Sequence, residues 1–481
     1  MPIPRPAVIR REHRRSAAPG TPAEGREKGT ETGPRALAAA LTSWLSRPLA
    51  SFHLIVALGG ILVLIGVIMV LSASSVSSGD PATGGGVYGQ FLKQLMFVGF
   101  GAVTFWIGLR LPLRRLRRAA SSAMVAGLAG LLLVLTPLGA SADGAQRWFV
   151  LGPFSLQPVE IAKVALTLWG AHILVTKAGV LHQWRHLLVP LVPAALLTVA
   201  LVMAQPNLSG TITLAVVVLA LLWFAGAPKR LFAVLLAGGL AGILVLALVA
   251  QYRLARVLSF LSPDQDYSGA AYQARQAQYA LADGGLFGIG LGQGQSKWNY
   301  LPNVQNDFIF ALIGEELGFV GCAVVLALFA AVAVVGLRIA LRNRDPWIRI
   351  VAGTLTVLLT TQAAINIGYV VGLLPVTGVT LPLVSYGGTS LVVTTLLFGI
   401  LANAARHEPE AAAALRTLGP GKLGGLLRLP APELPRRAPA RPRAGARPAG
   451  PRPASVHRGA GSARGAGRPP GEPADRVGIR R

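Results

Sequence analysis

Ten apolar runs, each near or above the ~20 residues that cross a hydrocarbon core, constrain this chain more than any other feature. They lie at about 54–73, 91–110, 119–138, 158–177, 187–204, 209–227, 231–251, 307–337, 347–372 and 386–405. Composition agrees with a membrane class. Of 481 residues 13% are charged, where a soluble globular chain carries roughly a quarter as Asp, Glu, Lys and Arg. The expected fold is an all-α polytopic membrane protein of about ten transmembrane helices. The first run begins near Phe52, too far from Met1 for a cleaved signal peptide, and is expected to remain as an anchor. Two places strain this partition: the close pair split at Gln205-Pro206-Asn207, and the long run after Asp307, which must tilt or protrude.

Charge sets the expected orientation. The chain has 45 Lys and Arg against 19 Asp and Glu, a formal +26. Much of the excess lies in two Arg-, Pro-, Ala- and Gly-rich ends without apolar periodicity. These read as disordered tails: 1–51 at the N-terminus and 407–481 at the C-terminus, flanking a membrane domain of 52–406. Between spans, cations alternate. Arg110, Arg114, Arg115, Arg117 and Arg118, then Lys177 and Arg185, then Lys229 and Arg230, then Arg338, Arg342, Arg344 and Arg349 fall on one side. The opposite loops 74–90, 205–208 and 373–385 hold none, 139–157 holds Arg147 alone, and 252–306 holds Arg253, Arg256, Arg275 and Lys297. The positive-inside rule then places both termini in the cytoplasm and a large loop, 252–306, outside between helices 7 and 8. The basic tails suit anionic lipid head groups or cytosolic partners. Nucleic acid is not expected, because no aromatic or folded reader accompanies the charge. A lone Cys322 excludes an intrachain disulfide scaffold and cysteine-based metal clusters, and with seven His and no HxxH or HExxH zinc hydrolysis is not expected.

On this topology the unusual polar sequences share the outer side. Gly144-Ala145-Gln146-Arg147-Trp148 precedes Gln157-Pro158-Val159-Glu160-Ile161-Ala162-Lys163. Pro158 suits a first helical turn, and Glu160 and Lys163 at i,i+3 share a face. They form a local ion pair that makes each charge tolerable in lipid, or Lys163 and Arg147 offer cations to an anionic head group; both can hold. Asp307 stands where a loop becomes a helix, so it is an N-cap or a carboxylate facing a cavity. Glu315 and Glu316 read as a structural pair inside the bundle. The glycines of 284–294 are a weak nucleotide signal without a strand–turn–helix setting and fit a flexible or re-entrant loop. Ser385-Tyr386-Gly387-Gly388 lacks a histidine partner and is no nucleophile elbow.

Cations and carboxylates outside a bundle fit a transporter or an enzyme. An external synthetic enzyme has no nucleotide to draw on, so its substrate must carry its own leaving group. A lipid-linked pyrophosphate sugar does. Its pyrophosphate calls for cations, and its acceptor hydroxyl calls for one carboxylate base.

The blocks around Arg147-Trp148, Gln157 to Lys163, Gln205-Pro206-Asn207, Tyr300-Leu301-Pro302 through Asp307-Phe308-Ile309-Phe310-Ala311 with Gly314-Glu315-Glu316-Leu317-Gly318, and Thr380-Leu381-Pro382 to Gly388 occur in an order that resembles the shape, elongation, division and sporulation (SEDS) family. The resemblance covers roughly 52–406. It implies a bacterial plasma-membrane peptidoglycan glycosyltransferase polymerising lipid II beside a class B penicillin-binding protein of the FtsI type and other division proteins. Thr380-Leu381-Pro382 and the basic tail resemble the division member, actinobacterial in style, more than the elongation polymerase. Val159 and Asn207 depart from the usual Ser or Ala and Asp. By resemblance Asp307 is the catalytic base, and Arg147, Trp148, Glu160, Lys163, Gln205 and Ser385 bind substrate. Glu315 and Glu316 support the site. No organic cofactor is implied; a divalent cation between pyrophosphate and Asp307 is compatible with the chemistry. A lipid II flippase and a scaffold that only recruits division proteins are the competing readings.

Overall fold

The computed structural model describes residues 43, 47–77, 88–142, 145–152, 154–180, 188–249, 270–301 and 304–432. Most of both expected tails, and residues 250–269 of the large loop, lie outside that set. The chain divides into a unit of Met1–Leu434, which carries every described element, and a second unit of Pro435–Arg481.

Each apolar run meets a helix: α1 (Ala50–Ser77), α2 (Gly89–Arg110), then after the basic α3 (Leu113–Arg118) α4 (Ala120–Leu133), α5 (Pro158–Thr176), α6 (Leu191–Ala204), α7 (Leu208–Phe224) and α8 (Lys229–Val249). An amphipathic α9 (Ala270–Asp283) precedes α10 (Ile309–Arg342), α11 (Pro346–Val370) and α12 (Gly388–Arg406). Among the described residues, α1, α2, α5, α10, α11 and α12 are long and apolar enough to cross a membrane, whereas α4, α6 and α7 have 14, 14 and 17 residues. The runs at 119–138 and 187–204 are thus shorter as helices than as sequence. Pro137 disfavours helix in the residue before it, and Pro190 stands at the N-cap of α6.

Two features depart from the expected all-α bundle. Residues 140–156 form a three-stranded antiparallel sheet of β1 (Ala140–Ala142), β2 (Ala145–Leu151) and β3 (Phe154–Leu156). The aromatic and branched residues of β2 suit a strand, and Gly152 at φ 62° makes the reversal into β3. Phe154 fixes the sheet to α2 by edge contacts with Phe97 and Phe100 at ring separations of 6.3 and 5.5 Å.

The second departure lies in the long run after Asp307. α10 breaks at Gly318 (φ 69°, ψ −166°) into a short Ile309–Leu317 piece and a long one. The break frees backbone groups that the glycine-rich loop satisfies. Ile289 and Gly290 donate N–H to the carbonyls of Glu315 and Glu316 at 3.0 and 3.1 Å, while Phe319 and Val320 donate to Gly285 and Leu286 at 2.9 and 3.1 Å. A Cβ at Gly318 would stand 2.5 Å from the Leu286 carbonyl oxygen, so both conformation and space demand glycine there. Re-satisfied backbone is the condition for an irregular segment at this depth. The loop is therefore pinned rather than flexible.

α12 packs along α2 and against α1 and is buried over most of its length. The approach to α2 is close: a methyl on Gly108 would lie 2.8 Å from the Leu396 carbonyl oxygen. Asn403 donates to the Gly108 and Leu111 carbonyls at 3.0 and 2.8 Å and so satisfies the C-terminal end of α2. Helical structure continues past 406, where the tail was expected to begin: α13 (Pro409–Thr417) and α14 (Gly421–Leu426) follow, with Leu429 buried in the core.

Candidate active site

One end of the bundle encloses a cavity of about 370 Å³. Four helix N-terminal regions converge on it, contributing Gln157, Val159 and Glu160 at α5, Asn207, Ser209 and Gly210 at α7, Asn306 and Asp307 before α10, and Gly387, Gly388 and Ser390 at α12. The α7 end is capped: Asn207 Oδ1 accepts the Gly210 N–H at 2.9 Å and the Ser209 hydroxyl at 3.0 Å. The N-cap positions of α5, α10 and α12 make no side-chain cap bond. Uncapped N–H groups and the helix dipoles favour an anion. This matters because the formal charges lining the cavity, Arg147 and Lys163 against Glu160 and Asp307, cancel.

Arg147 is carried by β2. Its Nε and Nη2 donate to the carbonyls of Gln205 and Pro206 at 3.3 and 2.8 Å, which ties the sheet to the turn between α6 and α7. Trp148 lines the cavity beside it. Lys163 is 3% exposed, and its Nζ lies 2.9 and 2.8 Å from the two carboxylate oxygens of Glu160. This is the i,i+3 pair anticipated from spacing.

Asp307 is half-buried. Asp307 stands one residue ahead of Phe308, the N-cap residue of α10. A Cβ at Gly378 would meet Asp307 Oδ2 at 3.5 Å, which places the carboxylate against the 378–380 wall of the cavity. The backbone of Asp307 is fixed from α11. Asn366 Nδ2 and the Tyr369 hydroxyl stand 2.8 and 2.7 Å from the Asp307 carbonyl, and 2.7 and 2.9 Å from that of Val379. One pair of side chains thus clamps two cavity walls together, and the Tyr369 ring also packs edge-on to Phe308 at 5.6 Å.

Two expected substrate ligands do not line the cavity. Gln205 is buried and donates Nε2 to the Leu131 carbonyl at 3.2 Å, while Ser385 Oγ accepts the Leu381 N–H at 2.8 Å inside its own turn. Ser385 adjoins the lining residue Tyr386 and Gln205 stands two positions before Asn207, but their side chains point into the fold. Glu315 and Glu316 act within the bundle, as expected. Glu315 accepts from the Gln295 N–H at 2.6 Å and from the Ser296 hydroxyl. Glu316 accepts the Ser72 hydroxyl at 2.6 Å and pairs with Lys297 at 3.4 Å. Gln362 also lines the cavity, and Gln362, Asn366 and Tyr369 were not anticipated. Their spacing of four and three puts them on one face of an apolar helix, which was the available signal. Among the described residues no cluster of three or more His, Cys, Asp or Glu is placed to hold a metal. Of the two lining carboxylates Glu160 is engaged by Lys163, so a divalent cation here would share Asp307 with ligand oxygens.

A family model described as "Cell cycle protein", of FtsW, RodA and SpoVE, matches residues 52–410. The chain belongs to that family. Within the FtsW/RodA/SpoVE family, the Mycobacterium tuberculosis protein named "Probable peptidoglycan glycosyltransferase FtsW" is 50% identical over 392 residues, 81% of this chain and 74% of that protein. Stage V sporulation protein E of Bacillus subtilis is 37% identical over 350 residues, 72% of this chain and 95% of that one. A solved structure described as "Structural coordination of polymerization and crosslinking by a peptidoglycan synthase complex" aligns with TM-score 0.63 at 28% identity, over 74% of this chain and 97% of that one. RodA of Thermus thermophilus aligns with TM-score 0.55 at 28% identity, over 76% and 99%. As an FtsW/RodA/SpoVE protein with this helix set, the chain is an integral membrane protein.

Proposed function

We propose that this protein is a peptidoglycan glycosyltransferase of the division type, polymerising lipid II with its cavity on the outer face of the plasma membrane at the septum. The observation that carries the reading is Asp307 sharing one cavity with Arg147, Lys163 and four converging helix N-termini. Asp307 takes the proton of the GlcNAc 4-hydroxyl as that oxygen attacks the anomeric carbon of the growing chain's MurNAc. The bond from that carbon to undecaprenyl pyrophosphate breaks, and the pyrophosphate leaves with the electron pair. The α-linked centre inverts to a β-1,4 bond in one displacement, which needs one base and a stabilised leaving group. Arg147, Lys163 and the uncapped N–H groups hold the pyrophosphate; Trp148 packs on lipid or sugar. Asn207 serves as a neutral cap, so no charge is required of it. A class B penicillin-binding protein is the crosslinking partner, with other division proteins reached from the cytoplasmic side. A divalent cation bridging pyrophosphate and Asp307 belongs to the same reading.

The test is polymerisation of labelled lipid II by the purified protein with its cognate transpeptidase, wild type against Asp307→Ala. Glycan strands from the wild type alone are expected; strands at the wild-type rate from the variant would overturn the base. The broken α10 favours a second reading, since carriers build substrate sites from discontinuous helices. Lipid II translocation surviving Asp307→Ala, with no strands from the wild type, would select that carrier.

A further inference from the structure

The segment after α12 holds six leucines between positions 415 and 429, and the structure sorts them by direction. Leu415 and Leu429 are buried and Leu427 packs on the core. Leu418, Leu423 and Leu426 are 83%, 42% and 79% exposed. Such a concentration of outward leucines marks an interaction surface.

This segment is fastened rather than dangling. Arg342 pairs with Glu408 at 3.5 Å and with Glu410, Arg406 Nη2 donates to the Pro430 carbonyl at 2.7 Å, and Trp106 Nε1 donates to the Leu427 carbonyl at 3.1 Å. These anchors sit at the ends of α2, α10 and α12. Since α10 and α12 start beside the cavity, the segment lies at the opposite end of the bundle. The Arg110 guanidinium rests 4.9 Å over the Trp106 ring, a cation and an amphipathic aromatic of the kind that marks a membrane interface. The acids of the segment face Arg342, whereas Arg416 and Arg428 are exposed. Downstream, Arg436, Arg437, Arg441, Arg443 and Arg447 add to the positive charge.

We propose that residues 409–430 form an interfacial strap whose Leu418, Leu423 and Leu426 enter the acyl region of the leaflet opposite the cavity, while its arginines lie on anionic phospholipid head groups. Apolar insertion and a basic run are the two signals that together give stable interfacial binding, and both occur here within one short stretch. Charge selects the occupant: outward leucines flanked by exposed arginines complement an anionic lipid surface.

The test uses the full chain in nanodiscs of phosphatidylcholine, with or without phosphatidylglycerol. The single cysteine, Cys322, is buried, so a fluorophore on Leu426→Cys or Leu418→Cys reports the strap. Quenching by bromines on the acyl chains is expected, several-fold stronger when phosphatidylglycerol is present. A probe quenched by aqueous iodide but not by bromolipid, in either lipid, would overturn the proposal and leave a protein as occupant. Equal bromine quenching in both lipids would overturn the anionic part. Replacing Leu418 and Leu426 together by Ser alters two side chains that are 83% and 79% exposed, and trypsin should then cut the strap several-fold faster in the anionic discs. An unchanged rate would count against insertion.

Discussion

Two lysine–glutamate pairs stand toward the same end of this bundle in opposite surroundings. Lys163 and Glu160 sit one turn apart on α5, hold each other at 2.8–2.9 Å, and line an open cavity; their side chains are 4% and 13% exposed. Lys297 and Glu316 join a loop to the broken α10 at 3.4 Å, with exposures of 2% and 0%. Around Glu316 the acceptor sites are taken by Ser72, Gly294 and Lys297, and Lys297 also donates to the Gly292 carbonyl. A buried charge whose partners are complete holds structure together, whereas one that keeps a face on a cavity has capacity left for a ligand. The difference separates residues that sequence pattern treats alike.

The largest effect expected is for Asp307→Asn, which should lower lipid II polymerisation roughly 10³-fold with the thermal unfolding midpoint unchanged. Near-wild-type rates would remove the cavity's claim to chemistry. Next, Lys163→Met should cost about 10²-fold in kcat/KM with normal yield of folded protein. Lys297→Met should instead destabilise by about 3–5 kcal/mol, because it leaves Glu316 charged in a sealed site. Should both variants lose activity and both keep full stability, the contrast between the pairs is broken. A smaller effect is expected from Asn366→Ala with Tyr369→Phe. Loosening the clamp should reduce kcat about 10-fold while KM for lipid II moves less than about 2-fold. An equal fall in stability and no kcat change would make the clamp purely structural.

The smallest concerns Glu408, a third buried glutamate between the two cases. Burial raises its pKa above the ordinary 4.5, against the opposing pull of Ser51, Arg342 and Arg338. Its folded form therefore holds a proton more tightly than its unfolded form. The contribution to strap docking is complete below the ordinary value and is lost as pH rises through the raised one. Trypsin cleavage after Arg416 should accelerate modestly over that window, and Glu408→Gln should flatten the profile.

Much of the architecture was legible because span length is a local property. Ten apolar runs became ten helices, and Glu160 and Lys163 announced their pairing by i,i+3 spacing. The break at Gly318 was not legible. A glycine inside an apolar run is ordinary, and the groups that complete the broken ladder lie about thirty residues away in the 285–290 loop. Gln205 and Ser385 were misplaced for a related reason: polarity and neighbourhood are visible in sequence, but the direction of a side chain in a turn is not. The sheet at 140–156 was hidden by its shortness, with two strands of three residues.

The sealed glutamates bear on how the protein is made. Ser72 precedes Glu316 by 244 residues and Lys297 precedes it by 19, so both partners have left the ribosome before the acid does. A carboxylate in a spanning helix costs about 2.5–3.5 kcal/mol on insertion scales when it travels alone. Here the order of synthesis puts the hydroxyl and the ammonium first and the acid last, so the segment least suited to lipid enters a membrane where its counter-groups are already waiting.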